Sequence, residues 1–437
     1  MNRINKKNKI CRKINQMAFP VLLNFLLSTV FELLDKAIVG HYSVQGFAVV
    51  GIAASFVYAI TGALGILSAA FHIAAAEEKG KRDEQGFETT FMVSRYLALL
   101  IGISFFVLSL LGGRFLFQHV YGVRDDDLSE LLSYYYPAAF TVVQNMLVFQ
   151  YSAYFRNCLN ARITLYSTVV STGVNLFFDL SLVYGYCGLP KLGTAGAAWG
   201  SVIGLAAGLL VYQAAYLRMR SPASPVRFAA MKTVAGKILR LYPSLFGQEL
   251  LESTIFACIV SAVVARLGTE QTAVYSLLDT AGSAIGLPVY AYATATQTFA
   301  LQYHSAGDMT SARRYLNSGM QLSFSIVGLL CILCGIFDQT LLHLIIDDEA
   351  IIQQAQRLLW LIFLLQLAKI PYQIHMSYLQ GIGREKFVLL CTAAGTIGTG
   401  IGVIIAGTLF GLTGLCLVMT TAFVSLGICY ILQTKDT

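Results

Sequence analysis

The chain has 437 residues, 56% of them hydrophobic and only 12% charged, where a soluble domain carries about 25% charged residues. Its mean hydropathy is +0.66 and apolar runs of roughly twenty residues recur along the whole length, which reads as an all-α polytopic membrane protein with the lipid bilayer as its partner. The ten-residue alternation of a β-barrel is absent, and the net charge of +7 is spread over alternate loops, so nucleic acid is not expected as a partner.

Residues 1–16 form a basic N-terminus with Arg3, Lys6, Lys7, Lys9, Arg12 and Lys13 and no acid. The span that follows has no small-residue cleavage site, so it reads as a retained first helix with the N-terminus in the cytoplasm. Twelve spans are expected, at 17–40, 46–76, 91–112, 129–152, 163–187, 193–217, 238–266, 270–302, 316–336, 350–376, 387–410 and 412–433. Connections from odd to even spans have Arg114, Arg124, Lys191 and Arg266 as their only basic residues, whereas the others are rich in Lys and Arg. That asymmetry places both termini inside.

The inner connection at 218–237 contains Pro222 and Pro225 and reads as a cytoplasmic linker between a six-helix lobe at 17–217 and another at 238–433. The halves look alike at an offset near 223: Phe19-Pro20 answers Tyr242-Pro243, Gly80 answers Gly307, and Tyr154 and Arg162 answer Tyr378 and Arg384. A repeat of this kind is common in secondary transporters and places a binding cavity between the lobes.

Polar groups inside the spans carry the chemistry. The first helix has Asn24, Ser28, Glu32 and Asp35 at steps of four, four and three, one polar face on an apolar helix. In the fifth, Asn175 and Asp179 stand four apart and share a face. A carboxylate at membrane depth costs at least about 2.5 kcal/mol, so it needs a partner, a cavity or a task. A proton fits because the neutral acid tolerates a low dielectric, and a sodium ion fits because carboxylate, amide and hydroxyl oxygens are hard donors. The sixth helix carries Gly196, Gly200, Gly204 and Gly208, a small-residue stripe that lets another helix approach closely. The seventh has Ser244, Gln248 and Glu252 on one face with Glu249 beside them. One of these two acids is a candidate to pair with Lys369 in the tenth helix.

The nine cysteines are scattered, several of them within apolar runs, where small apolar filler is the default reading, and the histidines have no metal-ligand spacing. No H-E-x-x-H or phosphate-cradling glycine loop is present, so an enzyme such as a lipid-modifying transferase is the remote alternative, and no resident cofactor is expected.

Taken together these residues resemble the multidrug and toxic compound extrusion family. The likeness rests on the Pro20 to Gly40 helix with Asp35, on Gly80, on Asn175-Leu-Phe-Phe-Asp179 followed by Gly193-Thr-Ala-Gly-Ala-Ala, and on Pro243 to Glu252, Gly286-Leu-Pro288 and Gly307-Asp308. The resemblance implies twelve helices in two six-helix pseudo-symmetric lobes around a V-shaped cavity. It implies a proton- or sodium-coupled antiporter, acting as a monomer, that exports small organic and often cationic compounds. Asp35, Asn175 and Asp179 match the first-lobe cation site of the DinF-type branch, and Glu252 matches an acid of the NorM-type branch; Glu32, on the same polar face as Asp35, is a further candidate for the first-lobe site. Asn24 and Gln248 are then expected at the substrate cavity. Lys369 departs from the NorM-type pattern, which has an aspartate there, and turns the expectation towards coupling through the first lobe. A lipid-linked saccharide flippase of the same superfamily is the alternative, and it calls for a cationic cavity.

Overall fold

In lipid every backbone N–H and C=O must be satisfied within its own segment, so runs this apolar adopt helix. The computed structural model has α1 (Asn2–Tyr42), α2 (Val44–Gly65), α3 (Leu67–Gly80), α4 (Glu84–Phe115), α5 (Asp125–Asn157), α6 (Arg162–Tyr184) and α7 (Thr194–Met219). There follow α8 (Phe228–Glu249), α9 (Phe256–Arg266), α10 (Thr269–Ser305), α11 (Met309–Ile336), the short α12 (Asp338–His343), α13 (Glu349–Leu379) and α14 (Glu385–Lys435). Three π-helical segments, Leu116–Val120, Leu250–Ile255 and Gln380–Arg384, extend or join them. The structure describes the backbone of all residues except 1, 124, 220–227, 344, 347, 436 and 437, and all the remaining side chains except those of 2–6, 32, 33, 36, 44–49, 125, 126 and 228–230. Among the described residues there is no strand.

With α2 and α3 taken as one run, α8 and α9 as another, and α14 divided where Gly411 turns at φ 60°, the described residues contain twelve long helical runs. They lie on the stretches expected from the sequence. Eight stretches are long and apolar enough to cross a membrane, and one of these, Glu349–Lys435, holds α13 and both halves of α14.

The chain divides into two compact units. Leu23–Tyr242 forms one, and Met1–Leu22 with Pro243–Thr437 forms the other. The first is knit by an aromatic cluster including Phe71, Phe87, Phe91, Tyr151, Tyr154 and Tyr212. In the second, Val260, Val274, Ile352, Leu361 and Val403 belong to an aliphatic core. Asn15 of α1 accepts a hydrogen bond from Tyr292 of α10 at 2.9 Å within that unit. Prolines lie inside α1, α5, α8, α10 and α13, where each removes a backbone donor.

The internal repeat is visible in the backbone, with one correction. α4 and α11 are both capped by an aspartate: Asp83 accepts from the Gly86 N–H at 2.8 Å and Asp308 from that of Ser311 at 2.9 Å. The residue before each cap is left-handed, Arg82 at φ 61° and Gly307 at φ 80°. Gly307 therefore corresponds to Arg82 and not to Gly80, which ends α3 two residues earlier. Leu159 at φ 57° and Gly383 at φ 84° make a second matched pair of left-handed residues.

Candidate functional site

The first candidate site grows out of the close contact between α6 and α7. α6 lays Ser167, Ser171, Asn175 and Asp179, each four residues from the last, against the glycine stripe of α7. A Cβ added at Gly208 would stand 2.9 Å from the Ser171 Cβ, and one at Gly204 would stand 2.6 Å from the Asn175 Cβ. At Gly200 it would stand 1.8 Å from Oδ1 of Asp179, and at Gly196 2.6 Å from the Leu182 carbonyl carbon. The stripe therefore admits the polar face of α6 rather than an apolar one. Gly185, left-handed at φ 80°, ends α6 and starts the turn that brings α7 back.

Asp179 is wholly buried. Its Oδ2 accepts from Nδ2 of Asn175 at 3.1 Å, and the same amide reaches Oγ of Ser201 on α7 at 3.2 Å. Oδ1 receives no hydrogen bond from a fixed N–H or O–H group. The carboxyl group of Asp35, from α1, lies within hydrogen-bond reach of Asp179, and Tyr134 of α5 lies within electrostatic reach of both acids. Four helices thus meet at one carboxyl pair. α1 is held there by Tyr184, which donates to the Ile38 carbonyl at 3.1 Å and meets Tyr42 edge to face at 5.9 Å. Two touching carboxyl groups cannot both stay ionised: either they share a proton or a cation lies between them. Among the described residues no cluster of three or more His, Cys, Asp or Glu offers a metal site.

A second polar cluster lies in the other unit. Glu252 sits in the π-helical segment Leu250–Ile255, a local irregularity that often accompanies functional positions. Its Oε1 accepts from Gln248 at 2.8 Å, from Tyr372 of α13, and from Thr392 of α14 at 3.5 Å. Thr392 in turn meets Tyr430 at 3.2 Å, and Gln248 accepts from Gln380 at 2.6 Å.

The residues singled out in the sequence fall as follows. Asp35, Asn175 and Asp179 come together. Asn24 accepts a hydrogen bond from Thr168 of α6, and the side chain of Glu32 lies outside the described residues. Gln248 is 3% exposed and committed to its neighbours. Glu249 accepts from Ser253 at 2.6 Å. The expected pairing of Lys369 with Glu252 or Glu249 is not formed: the ammonium lies 5.4 Å over the ring of Phe423, and the acid whose charge reaches it is Asp279 of α10. Tyr134, Ser201, Tyr372 and Thr392 went unmarked in the sequence. Ser201, Tyr372 and Thr392 are isolated hydroxyls in largely apolar stretches, and Tyr134 is one of four hydroxyl residues in a row, Ser133 to Tyr136, so no local pattern singles any of them out.

With this geometry in view, comparison with known proteins is decisive at one point. The family model MatE matches residues 20–180 and 243–406, which include Asp35, Asp179 and Glu252. The chain belongs to the MatE family. It is similar to a probable multidrug resistance protein, YoeA, of Bacillus subtilis, 25% identical over 81% of this chain and 78% of that protein. It is also similar to a probable multidrug resistance protein, NorM, of Thermotoga maritima, 22% identical over 79% of this chain and 74% of that one. Among solved structures, an outward-facing multidrug resistance MATE transporter of the MOP superfamily superposes with a TM-score of 0.84 at 17% identity, over 98% of this chain and 95% of that one. A MOP superfamily transporter of Pyrococcus furiosus, described as having a binding pocket of reversed polarity, gives 0.83 at 18% identity over the same shares. These likenesses establish the MATE fold, and with the apolar helices they make this MatE chain a multi-pass membrane protein.

Proposed function

We propose that this chain is a cation-coupled antiporter that exports small organic, often cationic compounds across the cytoplasmic membrane. All twelve long runs cross, and both termini lie in the cytoplasm. The substrate class follows its relatives, named as probable multidrug resistance proteins. The observation that carries the coupling is the carboxyl pair of a buried Asp179 and a half-buried Asp35, brought within hydrogen-bond reach, with Oδ1 of Asp179 lacking a donor. A carboxyl-to-carboxyl contact is the one a shared proton makes, whereas sodium would have to part the two groups to sit between them. The proton is therefore the favoured ion.

Coupling then follows from linkage. Protonation changes how Asp35 and Asp179 hold α1 against α6, and a compound that binds the deprotonated arrangement more tightly is released as the proton arrives. An ion that bound both arrangements equally would shift nothing.

Vesicles reconstituted with the purified protein and loaded with a fluorescent organic cation test this, with proton and sodium gradients imposed separately. The proton gradient is expected to drive export by the wild type. Asp35→Asn and Asp179→Asn should each lose most of that response, because an amide cannot release the proton. Export by both variants at the wild-type rate under each gradient would falsify the assignment.

A further inference from the structure

α1 and α6 share one register. Thr168 of α6 donates to Asn24 of α1, and Asp179 meets Asp35; each pair is separated by 144 residues, 168 against 24 and 179 against 35. A separation kept over eleven residues means that the two helices run parallel without slipping. The same register sets Ser28 beside Thr172, and Thr172 is 9% exposed. Asn175 stands one turn further along, bonded to Asp179. The seam between the helices is therefore polar at every turn, from Asn24 and Thr168 through Ser28 and Thr172 to the acid pair. The other face of α6, at Phe177 and Leu180, is exposed and apolar.

We propose that this seam is the route by which the coupling ion passes between the acid pair and the inner end of the unit, with Thr168, Thr172 and Ser28 as its relay groups. The inference rests on the coupling reading above and assigns it a path. Residues four apart on a helix rise by about 6 Å, which one water molecule making two hydrogen bonds of about 2.8 Å spans, and the last step from Thr172 to Asp179, a rise of about 10 Å past the Asn175 amide, takes a file of about three such waters. A hydroxyl accepts a proton on one lone pair and releases its own to the next acceptor, so a proton crosses each rung without net change in the side chain. Asn24, as an acceptor for Thr168, fixes the direction of the innermost hydroxyl. The acid pair alone explains where the ion binds. It does not explain why Thr172, which is buried, and Thr168, which is half-buried, continue the polar row of α6 for two more turns beside Asn24 and the exposed Ser28, where apolar side chains would serve a lipid-embedded helix as well.

The test uses the full-length protein in vesicles containing a trapped pH dye. Proton flux is started by an outward substrate gradient, and substrate affinity and thermal midpoint are measured on the same preparations. Thr172→Val, nearly isosteric and lacking only the hydroxyl, is expected to slow proton flux on the order of tenfold with affinity unchanged, and Thr172→Ser should restore it. If Thr172→Val lowers the thermal midpoint, Ser28→Ala, at an exposed position, takes its place with the same expectation. Wild-type flux in the hydroxyl-deleted variant, alongside loss of flux in Asp179→Asn, overturns the route and leaves the coupling site standing. Wild-type flux in Asp179→Asn overturns the coupling reading and the route with it.

Discussion

Gly200 is the position where packing and chemistry are hardest to separate, and an alanine there tests both. The added Cβ would stand 1.8 Å from Oδ1 of Asp179 and 2.9 Å from its Cγ and backbone nitrogen. Real carbon atoms do not approach an oxygen so closely, so the carboxyl group must retreat by more than an ångström. It can do so only by giving up the Asn175 hydrogen bond, which costs about 1.5 to 3 kcal/mol for a charged acceptor, and the overpacking adds about 1 to 3 kcal/mol. The two together come to about 2.5 to 6 kcal/mol, and the middle of that range, about 4 kcal/mol, corresponds to a fall of roughly 8 to 16 °C in the thermal midpoint of a unit this size.

Two other glycines calibrate the result. Gly173 of α6 has nothing within 4 Å of an added Cβ, so Gly173→Ala should be neutral or stabilising by about 0.5 to 1 kcal/mol. At Gly196 the obstacle is the α6 backbone at Leu182 and Val183, which cannot rotate away, so Gly196→Ala should part the helices and lose at least as much stability. The assay is thermal unfolding in detergent beside proton-driven export in vesicles. Gly200→Ala should lose most coupled export even where it stays folded, because its obstacle includes the acid itself. A Gly200→Ala protein with the midpoint and proton response of the wild type refutes the placement of Asp179 against α7.

Three further outcomes are expected. Because Glu252 bonds to Tyr372 and Lys369 faces elsewhere, stability losses in a double-mutant cycle of Glu252→Gln with Lys369→Gln should add to within about 0.5 kcal/mol, whereas Glu252→Gln with Tyr372→Phe should show a coupling of about 1 kcal/mol or more; the reverse pattern restores the Lys369 pair. Leu159→Gly should raise the thermal midpoint, since a leucine at φ 57° bears roughly 1 to 2 kcal/mol that glycine does not, and an unchanged or lower midpoint contradicts the left-handed turn. Lys237→Ala removes ion pairs of 2.7 Å to Glu77 and 3.3 Å to Glu78, but its side chain is 34% exposed, so the loss should stay below about 1 kcal/mol and shrink in high salt; a larger, salt-insensitive loss argues against this surface pairing.

The parts of the fold legible in the sequence are those whose cost is local. An acid in an apolar run is expensive wherever it ends up, so Asp35 and Asp179 stood out before any contact was known. A glycine every fourth residue has one physical use in such a helix, and α7 puts it to that use against α6. The boundary expected between the last two spans, 387–410 and 412–433, falls where Gly411 turns at φ 60°. What the sequence left open depends on partners brought from elsewhere. Lys369 faces Asp279, ninety residues earlier, and no spacing along α13 reports that. Tyr372 and Thr392 become part of a site only because α13 and α14 bring their hydroxyls to the same carboxylate. The Gly80 correspondence failed because the turn needs a left-handed backbone rather than a glycine, and Arg82 supplies it under strain.

The two acid clusters differ in what satisfies them, and the difference bears on which one exchanges an ion. Oε1 of Glu252 already accepts from a tyrosine, an amide and a threonine, all neutral, and no second carboxyl group hydrogen bonds to it. Nothing in that arrangement requires a cation to complete it. Asp179 has one amide donor on Oδ2, none on Oδ1, and another acid within reach. Its Oδ1 has room for a further donor, and burial against the α7 glycines keeps bulk water from Asp179 itself. Export coupled to an ion needs a site whose occupied and empty states differ in free energy by enough to move helices. On the proposed coupling the carboxyl pair of α1 and α6 is that site, so Glu252→Gln should weaken export less than Asp179→Asn when both are measured against the same proton gradient.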